Sequence, residues 1–111
     1  MEEVVLKNDF TWRFIASSSI HVDLSACKYA EEIHEVLKDA FGFPAYYGKN
    51  WSAFWDCLDD FCGDRTSETT VHVDGLNRLS KDLRSYAEKM VEIMRRAEEQ
   101  YPLVHFVFSE E

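Results

Sequence analysis

The last strand-like segment of the chain is almost entirely apolar, and this narrows the folds open to it. Leu103–Phe108 (LVHFVF) is a nearly continuous apolar run, a pattern typical of a strand buried on both faces of a parallel sheet. Strand–helix–strand units precede it along the chain. Such units favour a small parallel sheet covered by helices, so we predict an α/β fold.

The rest of the chain supplies the order strand, helix, loop, helix, strand, helix, strand. Ile20–Leu24 alternates apolar and polar residues and Thr70–Val73 is a second short strand. Ser25 is the predicted N-cap of the first amphipathic helix, which Gly42 and Pro44 bring to an end.

Two further helices follow from similar signals. The second is predicted to begin at Trp51, with Asn50 as its cap, and to end at Gly63. The third begins near Asp82 and stops before Pro102. Residues 74–81 form the turn between the second predicted strand and this helix, with room for a short helical piece. At the other end of the chain, Phe10–Ala16 is aromatic and β-branched and is predicted as an added strand, able to form a hairpin with the strand at 20–24.

Charge sets the class of partner. The chain has 111 residues, the size of one domain, and a formal net charge of −9. So acidic a chain is a poor ligand for nucleic acid or for anionic membranes, and its charge favours basic partners. The first ten residues lack the basic start of a signal peptide, and no apolar run is long enough to span a membrane, so we expect a cytoplasmic protein. We expect reduced, buried thiols at Cys27, Cys57 and Cys62.

Catalytic, metal and cofactor patterns are missing from the sequence. It contains no HExxH, GxSxG, GxGxxG or phosphate-binding glycine loop. Three of the four histidines, His21, His72 and His105, fall in predicted strands between apolar neighbours. A small hydrolase using Cys57 would require His34 or His105 close to it in space. We therefore expect no enzyme, no metal, no cofactor and no small-molecule ligand.

The segment Pro44–Phe61 (PAYYGKNWSAFWDCLDDF) is the unusual part of the sequence. Six of its eighteen residues are aromatic: Tyr46, Tyr47, Trp51, Phe54, Trp55 and Phe61. They cannot all point inward, since the two tyrosines fall on a loop. A different face of the following helix carries Ser52, Asp56, Asp59 and Asp60. Two interpretations stay open from the residues alone: aromatic core packing with a solvated acidic face, or an aromatic and acidic binding surface.

This segment resembles the inhibitory loop and second helix of the barstar family of intracellular ribonuclease inhibitors. The resemblance rests on Pro44-x-Tyr46-Tyr47-Gly48-x-Asn50 followed by Trp55-Asp56-Cys57-Leu58. It extends over residues 20–109, leaving 1–18 as an addition to a single domain of 1–111. It implies a three-stranded parallel sheet flanked by three to four helices, and a protein that plugs the active site of a ribonuclease.

The resemblance also implies roles for individual residues. Asp56 matches the central inhibitory aspartate, which enters the phosphate pocket of the enzyme. Tyr46 matches the loop tyrosine that packs on the catalytic histidine, and Trp55 matches a tryptophan beside the interface. Together with the residues that shape the loop and helix face, the expected toxin-binding set is Tyr46, Tyr47, Gly48, Asn50, Trp51, Ser52, Trp55, Asp56, Asp59 and Asp60. The implied partner is a cognate ribonuclease toxin with a basic active site, bound 1:1.

Four positions depart from the pattern of barstar itself. Ser52, Lys49 and Arg96 stand where it has acids, and Phe61 stands where it has a tryptophan. Because a reversed charge repels the wrong partner, we expect no tight binding to barnase, the ribonuclease that barstar neutralises.

We therefore predict an immunity protein or antitoxin against a ribonuclease toxin, secreted or delivered by a contact-dependent or similar system. An interaction module with a non-nuclease partner is the alternative.

Overall fold

Three parallel strands form the centre of the molecule. The structure is a computed structural model, and it describes residues 17–109. The elements in chain order are β1 (Ser19–Asp23), α1 (Ala30–Phe41), α2 (Trp51–Gly63), β2 (Thr69–Asp74), a 3₁₀ turn (Leu76–Arg78), α3 (Lys81–Gln100) and β3 (Val104–Phe108). The sheet order is β1-β2-β3, with Ile20 opposite Val71 and Val71 opposite Phe106. The predicted parallel α/β fold is confirmed, whereas the predicted strand Phe10–Ala16 lies outside the described residues.

The helices cover one face of this sheet. Strands added in the order 1-2-3 by crossovers of one hand place every connecting helix on the same side. Burial agrees, because alternate strand residues such as Val22, Val73 and Val104 are fully buried while their neighbours are exposed or half-buried. The prediction that β3 is buried on both faces is therefore wrong: Val107 is 49% exposed. The sequence of β3 is apolar throughout, but its position at the edge of a sheet covered on one face leaves alternate residues accessible.

The first helix begins later than its sequence suggests. Ser25 is not the N-cap, because α1 starts at Ala30 with Tyr29 in the capping position. The carboxylate of Glu32 reaches back to accept hydrogen bonds from the backbone N–H groups of Lys28, at 2.6 Å, and Tyr29, at 3.2 Å. Glu32 thus satisfies donors that would otherwise lack partners, and its position fixes the helix start.

The other helix boundaries agree with the predictions. The Asn50 side chain accepts from the Ala53 N–H at 2.8 Å and caps α2. Gly42 ends α1 in the left-handed region, with φ of 77°. Ser80 caps α3 and places Asp82 in its first turn. The end of α1 and the start of α2 therefore fix both ends of the segment 42–50, the loop that carries Tyr46 and Tyr47.

Aromatic side chains fill the space between the helices and the sheet. Phe41, Phe54 and Phe61 are fully buried, and the ring centres of Phe41 and Phe61 are 4.9 Å apart. Phe61 is thus a core residue, and its difference from barstar affects packing and not the exposed surface. The two tryptophans of α2, Trp51 and Trp55, are only half-buried against this core.

Candidate functional site

The loop between α1 and α2 directs its two tyrosines in opposite directions. Tyr46 is 74% exposed, whereas Tyr47 is 5% exposed. The Tyr47 N–H donates a hydrogen bond to the Pro44 carbonyl at 3.0 Å, and this closes a turn over residues 44–47. The expectation that both loop tyrosines lie outside the core is therefore wrong for Tyr47. Of the two, only Tyr46 offers its ring to a partner.

Behind the loop, a buried histidine joins four parts of the chain. His34 of α1 is fully buried. Its Nδ1 lies 2.6 Å from the Tyr47 hydroxyl and its Nε2 lies 2.8 Å from the Tyr86 hydroxyl of α3. The Trp51 ring of α2 packs against it, with centres 4.4 Å apart. A neutral imidazole donates through one nitrogen and accepts at the other, so both tyrosine hydroxyls can be satisfied at once.

The protonation states in this cluster follow from its burial. Burial, together with the nearby Lys49 cation, lowers the pKa of His34. Burial also raises the pKa of Tyr47 and of Tyr86. At neutral pH the imidazole is therefore uncharged and both hydroxyls keep their protons, which is the state that the hydrogen bonds require.

Sequence reasoning did not find this role for His34. The sequence suggests the residue only as a partner for Cys57. The signal was present, because His34 lies four residues after Ala30 and three before Leu37 on the apolar face of α1. Its partners, 13 and 52 residues away, could not be identified from local patterns.

The departure at Lys49 has a structural use within the chain. Its ammonium group lies 3.4 Å from the carboxylate of Glu31 and forms an ion pair with Glu35, both on α1. The hydrogen bond to Glu35 raises the pKa of Lys49 and lowers that of Glu35. Lys49 is thus engaged by two acids of its own chain, which offsets the positive charge that it brings to the loop.

The exposed face of α2 carries the acids. Ser52, Asp56 and Asp60 recur every four residues and are all exposed. Within residues 17–109, the carboxylates of Asp56 and Asp60 have no hydrogen-bond or ion-pair partner closer than 4 Å. Asp59 differs, since it accepts a hydrogen bond from the Tyr101 hydroxyl and thereby raises the pKa of Tyr101 to about 12. The structure thus separates Asp59 from the other two acids.

A groove between α2 and α3 continues this face. Its volume is about 430 Å³, and residues on its walls include Trp51, Ser52, Trp55, Asp56, Lys89 and Arg96. Four of the predicted binding residues therefore share one concave surface with Arg96, the position at which barstar has an acid. Tyr46, Gly48 and Asn50 are exposed on the loop that leads into α2.

The described residues do not assemble a metal centre, and the two histidines considered as partners of Cys57 have other partners. Among residues 17–109 no group of three His, Cys, Asp or Glu side chains is placed to hold a metal. Both ring nitrogens of His34 bond to tyrosines, and His105 pairs with Glu68 at 2.7 Å. Burial raises the pKa of the Cys57 thiol, the opposite of what an activated nucleophile needs. Cys27, Cys57 and Cys62 are all free thiols.

Comparisons with known proteins agree with this geometry. A family model described as "Barstar (barnase inhibitor)" matches residues 17–109, the whole of the described structure. The Bacillus subtilis (strain 168) protein named "Putative ribonuclease inhibitor YrdF" is 34% identical over 70 residues, which are 63% of this chain and 74% of that protein. In the part of the chain that the structure describes, no helix is both long enough and apolar enough to cross a membrane.

Proposed function

The chain belongs to the barstar family, and we propose on that premise that it inhibits a ribonuclease by inserting the exposed face of α2 and the preceding loop into the enzyme's active site. The observation that carries this proposal is the Asp56 carboxylate, which is exposed, without an ion-pair partner among residues 17–109, and placed beside the half-buried Trp55 in the groove. The exposed ring of Tyr46 lies on the adjoining loop.

The chemistry of a ribonuclease explains why such a surface inhibits it. An enzyme that binds RNA holds the phosphates with cationic side chains. A carboxylate presents the same charge to those cations but carries no scissile phosphodiester, so it occupies the pocket without being turned over. Aromatic groups around the carboxylate exclude water from the contact and strengthen it.

The net charge supports the same partner at longer range. Residues 45–75 contain six acids and two bases, whereas residues 76–111 are nearly balanced with seven and six. The excess of acid is therefore larger in the segment that contains α2, its flanking loops and β2 than in the segment that follows. Such a field attracts a basic enzyme and raises the rate of encounter.

The proposal extends to the setting of the protein. It acts as a 1:1 immunity protein or antitoxin in the cytoplasm of a bacterial cell and neutralises a toxin that is secreted or delivered by a contact-dependent or similar system. It uses no cofactor and catalyses no reaction. The family description "Barstar (barnase inhibitor)" and the relative named "Putative ribonuclease inhibitor YrdF" support the inhibitory part of this role.

The test removes the central carboxylate. We would measure how purified protein inhibits RNA cleavage by a candidate ribonuclease toxin encoded beside its gene, using Asp56→Ala and the control Asp39→Ala, an exposed acid on α1. Loss of one partner of a buried charge pair costs about 2–5 kcal/mol at protein interfaces, so Asp56→Ala should weaken inhibition by about 30-fold or more. Asp39→Ala should inhibit like the wild type. Undiminished inhibition by Asp56→Ala would rule out insertion of this face.

One observation favours the alternative, an interaction module with a non-nuclease partner. Ser52 and Arg96 lie in the groove where barstar carries acids. In that case a pulldown should recover a partner without nuclease activity, and recovery should still depend on the loop and α2.

A further inference from the structure

The groove between α2 and α3 exposes two opposite charges that the chain itself does not neutralise. Asp56 lines it from α2 and Arg96 from α3. Within residues 17–109, neither side chain has an ion-pair partner within 4 Å. The neighbouring cations of α3 differ: Lys89 pairs with Glu92 and Arg95 pairs with Glu98, each at 3.1 Å. Arg96 is therefore the cation of this groove that remains available to a partner.

The guanidinium of Arg96 lies over the ring of Trp55. The guanidinium carbon lies 5.9 Å from the centre of the Trp55 ring, at the outer limit of a cation–π contact. Trp55, Asp56 and Arg96 line the same groove. A partner that fills the groove therefore meets the carboxylate and the guanidinium together.

Covering an unpaired charge is unfavourable unless the partner supplies the opposite charge. A uniformly basic active site satisfies Asp56 but repels Arg96. A site that has a carboxylate beside its phosphate-binding cations satisfies both. The planar guanidinium also suits a carboxylate, because it donates two parallel hydrogen bonds.

We propose that Arg96 is a specificity residue: it selects a ribonuclease that carries an acidic side chain next to its phosphate-binding cations, and it rejects ribonucleases whose active-site rim is basic throughout. This inference rests on the proposed function and deepens it by stating the chemistry of the partner. A partner that fills the groove must therefore supply a cation for Asp56 and a carboxylate for Arg96.

The rejecting half is tested with barnase as the probe, because barstar, which neutralises barnase, has an acid at the position of Arg96. Full-length wild type, Arg96→Glu and Arg84→Glu are titrated against barnase, and the inhibition constant is read from residual RNA cleavage at low ionic strength. Arg84→Glu makes the same change in net charge on α3 but lies about 18 Å away along the helix and outside the groove. Arg96→Glu should inhibit barnase at least 10-fold more tightly than the wild type, and Arg84→Glu less than 3-fold more tightly. Equal changes in the two variants, or no gain from Arg96→Glu, would overturn the assignment.

The selecting half uses the candidate ribonuclease toxin that the wild-type protein inhibits. Arg96→Glu should weaken inhibition of that enzyme at least 10-fold, and Arg96→Gln should fall between it and the wild type. Replacing one rim carboxylate of the enzyme by lysine should restore inhibition by Arg96→Glu.

Thermal melts distinguish an effect of Arg96 on binding from an effect on stability. If the contact of Arg96 with Trp55 were purely structural, Arg96→Glu would change the melting temperature but not the preference between barnase and the candidate toxin. If Asp56→Ala abolishes inhibition while Arg96→Glu changes nothing, the proposed function stands and this assignment falls. If Asp56→Ala has no effect, the proposed function itself falls.

Discussion

Replacing Tyr47 by Phe should destabilise the protein through a single missing oxygen atom. The Tyr47 side chain is 5% exposed, and its hydroxyl is 2.6 Å from Nδ1 of His34, which is fully buried. The variant keeps the shape of the ring but leaves the nitrogen of His34 without its partner, in a place that solvent does not reach. An unsatisfied buried polar group costs about 1–3 kcal/mol, so we expect a loss of about 2 kcal/mol in the free energy of unfolding.

This loss of free energy corresponds to a measurable fall in the melting temperature. Unfolding entropies of about 2.1 cal/mol/K per residue give about 230 cal/mol/K for 111 residues. A loss of 2 kcal/mol then lowers the melting temperature by about 9 °C. Differential scanning calorimetry at pH 7.5 gives this value directly, and urea denaturation followed by tryptophan fluorescence gives the free energy independently.

Tyr86→Phe is the matched control. It removes the hydroxyl 2.8 Å from the other nitrogen of the same imidazole, but Tyr86 is only half-buried, so water can replace the lost partner. We expect a loss of about 0.5–1 kcal/mol, or about 2–4 °C. If Tyr47→Phe melts within 2 °C of the wild type, or if Tyr86→Phe costs more, the reasoning that the Tyr47–His34 bond holds the loop is refuted.

Two further predictions concern the same framework. Because burial and Lys49 lower the pKa of His34, the unfolded chain binds a proton on this imidazole at a higher pH than the folded chain, so the free energy of unfolding should fall as the pH drops below about 6.5. Urea denaturation at pH 7.5 and 5.5 should show a smaller difference in the free energy of unfolding for His34→Gln than for the wild type. An equal difference would contradict the assignment. Gly75 has φ of 88°, and an added Cβ would lie 2.4 Å from the backbone nitrogen of Ser25, so Gly75→Ala should lower the free energy of unfolding by more than about 1 kcal/mol. In Gly48→Ala the Cβ would meet nothing closer than 3.6 Å, so the loss should be smaller. Thermal melts of the two variants check this order.

Sequence patterns predicted the parts of this structure that depend on near neighbours. Asn50 lies three residues from the N–H that it caps, and Gly42 adopts the left-handed conformation at the helix end where a glycine is expected. The start of α1 was misplaced because Ser25 is a common N-cap type, while the carboxylate of Glu32 fixes the actual boundary.

Features that depend on distant parts of the chain were not predicted. The burial of Tyr47 depends on His34 and Tyr86, which belong to two different helices. Asp59 and Asp60 look alike in sequence, but only Asp59 reaches the hydroxyl of Tyr101 at the end of α3. The exposure of Val107 depends on which face of the sheet the helices cover, and an apolar run does not reveal that.

The loop that carries Tyr46 is held at three points: Gly42 ends one helix, Asn50 starts the next, and Tyr47 is hydrogen-bonded in the core. Ordering a residue costs about 1–2 kcal/mol of backbone conformational entropy. This loop is already ordered when the domain folds, so its entropy loss occurs before any partner binds. Association with the proposed ribonuclease therefore does not have to order the loop again, and a larger share of the contact energy is retained as affinity.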